Sequence, residues 1–189
     1  MVDIDDAIRE WAIPLGDGLC IDKYNDAVGD VFIKAADIIL DTTVSLGTIK
    51  AVPVHDNWSY QGDVVYAIVI NGGLVKIGGT KNGLVMRWSS YMAGRCVRQR
   101  LNRAGVPYSG KMSVTNARVY HTIEKALLDG YNCSVYIWIL PRIEHTLNIF
   151  GHATVTVVRV YDCYEAACIR MYTRLTSAMP LLCIGYQRS

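Results

Sequence analysis

Two β-branched runs, residues 64–70 (VVYAIVI) and 74–77 (LVKI), are separated by Asn71-Gly72-Gly73. An Asn-Gly pair between such runs is the strongest short-range signal for a β-hairpin. The two-residue turn that matches strand twist needs left-handed backbone at both central positions, and Gly and Asn supply it most easily. Any fold of this chain has to accommodate that hairpin. Gly78-Gly79-Thr80 follows, and residues 83–93 then read as a helix with Asn82 as its N-cap. On that helix Arg87 and Tyr91 stand four residues apart, and so on one face.

Charge is segregated around the same region. From Val64 to Thr122 there are nine Lys or Arg and not one Asp or Glu. The first 63 residues carry twelve acids against four bases, and the remainder fifteen bases against five acids. The formal net charge of +2 therefore conceals an acidic beginning and a basic continuation. Attraction to phosphate acts locally, so an acid-free basic window is suited to a polyanion whatever the sum. Lys81, Arg95, Arg98, Arg100, Arg103 and Lys111 are the candidate phosphate-contacting cations. The plainer reading of the same cluster is a solvated face.

The rest of the chain reads as mixed elements. Residues 5–11 predict a short helix with Asp5 and Asp6 at its start. Apolar Val28, Val31, Phe32, Ala35, Ile38 and Ile39 follow a 3.6-residue period and predict an amphipathic helix over 24–40. Residues 47–58 read as loop with a short extended piece, and 95–111 as loop and partial helix. Thr115 can cap a helix to about Asp129, which Gly130 ends. Residues 133–140 predict a strand stopped by Pro141, and 153–161 a further extended segment. Asp162 can cap a last helix over 163–176.

At 51% hydrophobic and 19% charged residues the chain is a folded globular type. No apolar run has the length of a membrane span, and the acidic N-terminus lacks the form of a secretory signal, so a cytoplasmic location is expected. The six cysteines form no Cys-x-x-Cys pair, which favours reduced, mostly buried thiols over a zinc site.

Val64-Val65-Tyr66, then Lys76-Ile77-Gly78, then Arg87, then a late helix bearing Glu165 resemble the GIY-YIG nuclease family. Lys stands where the second motif usually has Tyr. That departure, with Arg eleven residues on and Tyr four after that, is similar to the Hpy188I-like subgroup of type II restriction endonucleases. The resemblance implies an α+β fold: a small three-stranded antiparallel sheet flanked by helices, spanning 62–189 with a basic insertion around 95–130. Residues 1–61 would be an N-terminal helical extension. It also implies a catalytic set of Tyr66, Lys76, Arg87, Tyr91 and Glu165, with Glu165 holding one divalent metal, Mg²⁺ or in its place Mn²⁺, and no organic cofactor.

Phosphodiester hydrolysis needs an activated water, neutralisation of charge on the phosphoryl oxygens and help for the leaving oxygen. Glu165 offers a hard oxygen to Mg²⁺, and Arg87 can fork onto phosphate. Tyr66 or Lys76 can take the water's proton, with Tyr66 preferred, and Tyr91 can hydrogen-bond phosphate or water. Singly, each residue has an ordinary structural reading: a strand aromatic, a solvent-facing lysine, a helix-dipole complement. The expectation is a metal-dependent, sequence-specific double-stranded DNA endonuclease acting as a homodimer. Its alternatives are a phage or mobile-element nuclease of the same fold and a non-catalytic DNA-binding protein.

Overall fold

The structure is a computed structural model that describes residues 12–41, 43, 48–95 and 114–183. Helix α1 (Ile21–Val28) leads into strands β1 (Ile33–Asp41) and β2 (Thr48–Pro53). Strands β3 (Val64–Ile70) and β4 (Gly73–Thr80), helix α2 (Gly83–Met92) and helix α3 (Val114–Leu128) follow. The chain closes with β5 (Cys133–Ile139), β6 (Ile143–Ile149), β7 (His152–Val158) and helix α4 (Tyr161–Thr176).

The β3–β4 hairpin forms as its turn residues require, with Asn71 at φ 49° and Gly72 at φ 81°. Its sheet is larger than three strands. Five antiparallel strands lie in the order β2-β1-β5-β3-β4, and β6 and β7 form a separate two-stranded ribbon. Strand β1 pairs with β5 from Ile33↔Ile137 to Ile38↔Cys133, so residues that were to lie in a helical extension complete the sheet instead.

The reason is local. Gly29 takes a left-handed φ of 88°, Asp30 follows at 56°, and their amides close onto the end of α1. Helix stops there, and the apolar residues beyond it are used at strand period. The predicted helix over 24–40 is thus a two-turn helix and a nine-residue strand. Residues 47–58, expected as mostly loop, supply the edge strand β2 and a single 3-10 turn. The helix after the insertion runs over Val114–Leu128, with Gly130 at φ 84° behind it. The last helix begins at Tyr161, so Asp162 lies inside its first turn and Val160 is the cap. The expected helix over 5–11, Cys96, Arg98, Arg100, Arg103 and Lys111 lie outside the described residues.

Strand β3 is buried on both sides of the sheet, which is why it is apolar at every position rather than at alternate ones. On one face Tyr66, Ile68, Val135 and Ile137 pack with Leu84, Trp88 and Tyr91 of α2 and Tyr120 and Ile123 of α3. On the other, Val65, Ala67 and Ile77 pack with Tyr24 of α1 and Cys168, Ile169 and Tyr172 of α4. The described cysteines are free thiols. Among the described residues no helix is long and apolar enough to cross a membrane.

Candidate active site

Strand β4 is an edge of the five-stranded sheet, and the candidate residues gather around it. Tyr66 faces Gly78 across the β3–β4 ladder, and Ile68 faces Lys76. Directly paired residues share a face, so Tyr66 and Lys76 lie on the side covered by α2. A Cβ on Gly78 would collide with the Tyr66 phenol, so a glycine is required at this position for the ring to lie flat over the neighbouring strand.

Tyr66 and Tyr91 are each about 1% exposed, and their hydroxyls meet at 2.5 Å. Arg87 Nε donates to the Tyr66 hydroxyl at 3.0 Å, and a terminal Arg87 nitrogen donates to the Tyr91 hydroxyl at 3.2 Å. The guanidinium also lies 4.5 Å from the Tyr91 ring centre. The four-residue spacing on α2 therefore does more than share a face, because it closes a three-membered polar ring against β3. Burial pushes the Tyr66 phenol well above its ordinary range; Tyr91 adds to the shift, while Lys76 and Arg87 oppose it. Burial raises Tyr91 as well, with Arg87 opposing.

Lys76 is not the solvent-facing lysine that alternation with Val75 and Ile77 suggests. It is 6% exposed, and its ammonium donates to the Leu182 carbonyl at 3.1 Å. A bulge between Ile68 and Val69 shifts the β3–β4 register beside it. The chain after α4 reaches β4 here. Leu182 N–H donates to the Val75 carbonyl at 2.8 Å, and the Cys183 thiol accepts from the Ile77 N–H and donates to the Ile77 carbonyl. These contacts satisfy an otherwise open strand edge. Leu182 and Cys183 were not expected to hold a site lysine, since nothing in their spacing indicates that the tail returns to β4.

Glu165 reaches the same edge from the opposite face. Its Oε2 accepts the Gly79 amide at 2.8 Å. A Cβ on Gly79 would come within 2.7 Å of the Tyr161 ring and 2.8 Å of that carboxylate oxygen, so the second glycine clears the way for α4. Burial raises the Glu165 carboxyl; the charges of Lys76 and Arg87 and the Gly79 amide pull it back. The start of α4 is held by Asp63, whose carboxylate accepts from the amides of Val160 at 2.8 Å and Tyr161 at 3.4 Å. Asp63 is the last acid before the basic window, and its anchoring role had no signal in the sequence.

All five residues of the candidate catalytic set thus converge, from β3, β4, α2 and α4. Of the candidate DNA-contacting cations, Lys81 is exposed just beyond β4, and Arg95 ends the 3-10 turn after α2. Among the described residues no three His, Cys, Asp or Glu side chains cluster as a metal cage. The donor set instead fits a hard cation held by one carboxylate. Glu165 commits one oxygen to Gly79, its other oxygen accepts no hydrogen bond among the described residues, and Mg²⁺ is commonly bound through one carboxylate with water around it.

No protein-family model matches the chain, and no curated protein matches its sequence. Among solved structures, the restriction endonuclease Hpy188I in complex with product DNA superposes with a TM-score of 0.53 at 17% identity, over 94% of this chain and 89% of that one. A mutant of bacteriophage T4 EndoII superposes with a TM-score of 0.53 at 22% identity, over 82% of this chain and 95% of that one. The fold of this chain is similar to that of both nucleases along most of their length.

Proposed function

We propose that the chain is a metal-dependent, sequence-specific double-stranded DNA endonuclease of the GIY-YIG family, close to type II restriction enzymes, acting as a homodimer. The observation that supports this best is the convergence of Tyr66, Lys76, Arg87, Tyr91 and Glu165 on one sheet edge. It occurs on a fold shared with two endonucleases, one of them bound to its product DNA.

Each residue has a task that its surroundings suit. Arg87 is partly engaged by two hydroxyls, and its planar fork is suited to a phosphate oxygen arriving over them. Those hydroxyls fix its direction beforehand, which lowers the reorganisation needed when charge develops on phosphorus. Glu165 holds the divalent ion, which when bound supplies positive charge to the phosphoryl and leaving oxygens. Tyr66 or Lys76 accepts the proton of the attacking water. Tyr66 carries a hydrogen bond from Arg87 that would stabilise its phenolate, whereas burial keeps it protonated at rest. Lys76 is held by one carbonyl and lies close enough to act on both Tyr66 and Glu165.

Plasmid incubated with the protein in Mg²⁺ is expected to yield discrete fragments, and none in EDTA. A smear would replace the restriction enzyme with a loose nuclease. Tight binding without cleavage in any divalent cation would leave a DNA-binding protein on a nuclease fold.

A further inference from the structure

Helix α4 is held unevenly along its length. Its buried side chains, Cys168, Ile169 and Tyr172, lie from its middle onward. That stretch is also tied by hydrogen bonds. The Tyr24 hydroxyl donates to the Cys168 carbonyl at 2.8 Å, and the Tyr172 hydroxyl donates to the Leu74 carbonyl at 3.4 Å. Glu165 belongs to the earlier stretch, where Tyr161, Tyr164 and Glu165 are half-buried. There the Tyr161 ring lies against Gly79, and the Tyr164 ring meets Trp138 edge-on at 5.0 Å. Two polar contacts hold this stretch to the sheet among the described residues: Glu165 on the Gly79 amide, and Asp63 on the helix start.

The second contact answers a need that α4 cannot meet itself. Its cap residue is Val160, whose side chain offers no acceptor to the first amides. Asp63 supplies the acceptor from 97 residues away, taking the Val160 and Tyr161 amides on one carboxylate oxygen, and its charge faces the positive end of the helix. Asp63 is itself fixed in place. It immediately precedes β3, three residues before Tyr66, and its carbonyl accepts the Leu140 N–H at 3.1 Å just past the end of β5. Glu165 follows Tyr161 by four residues, about one helical turn, so whatever holds the first turn also holds Glu165.

We propose that Asp63 is the positioning residue for Glu165: by tying the start of α4 to the start of β3, it fixes where the Glu165 carboxylate stands against Gly79. Tyr66, Arg87 and Tyr91 are gathered on the other face of the sheet, so this tie sets the two halves of the candidate site against each other. Without it the later part of α4 stays anchored through Cys168, Ile169 and Tyr172, and the first turn frays, carrying Glu165 away from Gly79.

This role rests on the place of Glu165 in the proposed nuclease for its use, so it is read without cleavage. The Gly79 amide proton donates to Glu165, and its nuclear magnetic resonance shift reports where that carboxylate stands. In the full chain carrying Asp63→Ala, the Gly79 signal should move upfield. Mn²⁺ added without DNA should broaden that signal only at about tenfold higher concentration than in the parent, the scale of losing a group that orients a metal ligand. Asp63→Asn keeps an acceptor for both amides and loses the charge, and should restore both readings. Asp63→Ala with Val160→Thr gives the helix its own capping hydroxyl but no tie to β3. It should melt at a higher temperature than Asp63→Ala and still show the displaced Gly79 signal and the weakened Mn²⁺ response. If Asp63→Ala does not fold, the double variant carries the comparison. A Gly79 signal unmoved without Asp63 would overturn the proposal. So would its full recovery in the double variant, since Asp63 would then be a helix cap and nothing more. An Mn²⁺ response weakened as much by Asp63→Asn as by Asp63→Ala would make Asp63 a metal ligand instead. The expected Gly79 shifts in a protein that does not respond to Mn²⁺ or never cleaves DNA would keep the positioning role and remove the metal-dependent nuclease.

Discussion

The edge of β4 and the β6–β7 ribbon are both places where strands run out of partners, and the molecule treats them oppositely. At β4 the Leu182 amide, the Cys183 thiol and the Glu165 carboxylate take up outward-facing backbone groups, and a lysine and two tyrosines are packed below with almost no exposure. At the ribbon the edges stay open, and apolar side chains face water. The first arrangement gains nothing from a flexible environment, because polar groups buried in this way act only if their partners hold still. The second is held by few contacts, and a two-stranded ribbon on its own is marginal in water. A satisfied edge and an open one sit a few residues apart, joined through Asp63.

That contrast can be broken most severely at Glu165. Glu165→Gln keeps the bond from Gly79 but loses the charge, and should lower cleavage by about 10³-fold or more while DNA binding persists or tightens. Retained cleavage in Mg²⁺ would remove the metal-ligand role. The same variant reports on the cost of the site. The folded carboxyl is raised above its ordinary 4.5 by burial, so the folded state holds this proton where the unfolded chain has released it. Its stability contribution is full below pH 4.5 and is lost as pH rises through the raised value. Glu165→Gln should therefore unfold at a higher temperature than the parent at neutral pH, with the gap closing in acid.

Next in size are Tyr66→Phe and Lys76→Ala, each expected to slow cleavage by about 10²-fold, the scale of one acid-base or electrostatic group. The residue that acts as base is the one whose removal flattens the alkaline rise in rate. If both variants keep that rise, neither is the base. Gly78→Ala tests the close approach rather than the chemistry. Its methyl group meets the Tyr66 phenol, and overpacking of this kind costs about 1–3 kcal/mol. A drop in both melting temperature and cleavage is expected, and an unchanged melting temperature would mean that the ring has room to move.

The smallest effect should come from the ribbon. Phe150→Ala touches no core contact, so the free energy of chemical unfolding should shift by about 0.5 kcal/mol or less. A large loss there would mean that Phe150 packs within its own chain, and the contrast with β4 would disappear.

Much of the site was legible in residue order. Asn71-Gly72 dictates the hairpin, the hairpin dictates that Tyr66 meets Gly78, and helical spacing brings Arg87 beside Tyr91. These are local relations, governed by turn geometry and by the 2.0 and 3.6 periods of strand and helix. Residues 24–40 were misread because a bulge between Lys34 and Ala36 buries Ala35 and Ala36 in succession and breaks the alternation of β1, and Gly29-Asp30 decided the matter. Only tertiary structure decided that β1 and β2 extend the sheet to five strands, that Lys76 is buried under Leu182, and that Glu165 comes round the edge to Gly79. Those contacts span 86 to 106 residues of chain. No spacing rule reaches that far, because they depend on which elements stack on which face of the sheet.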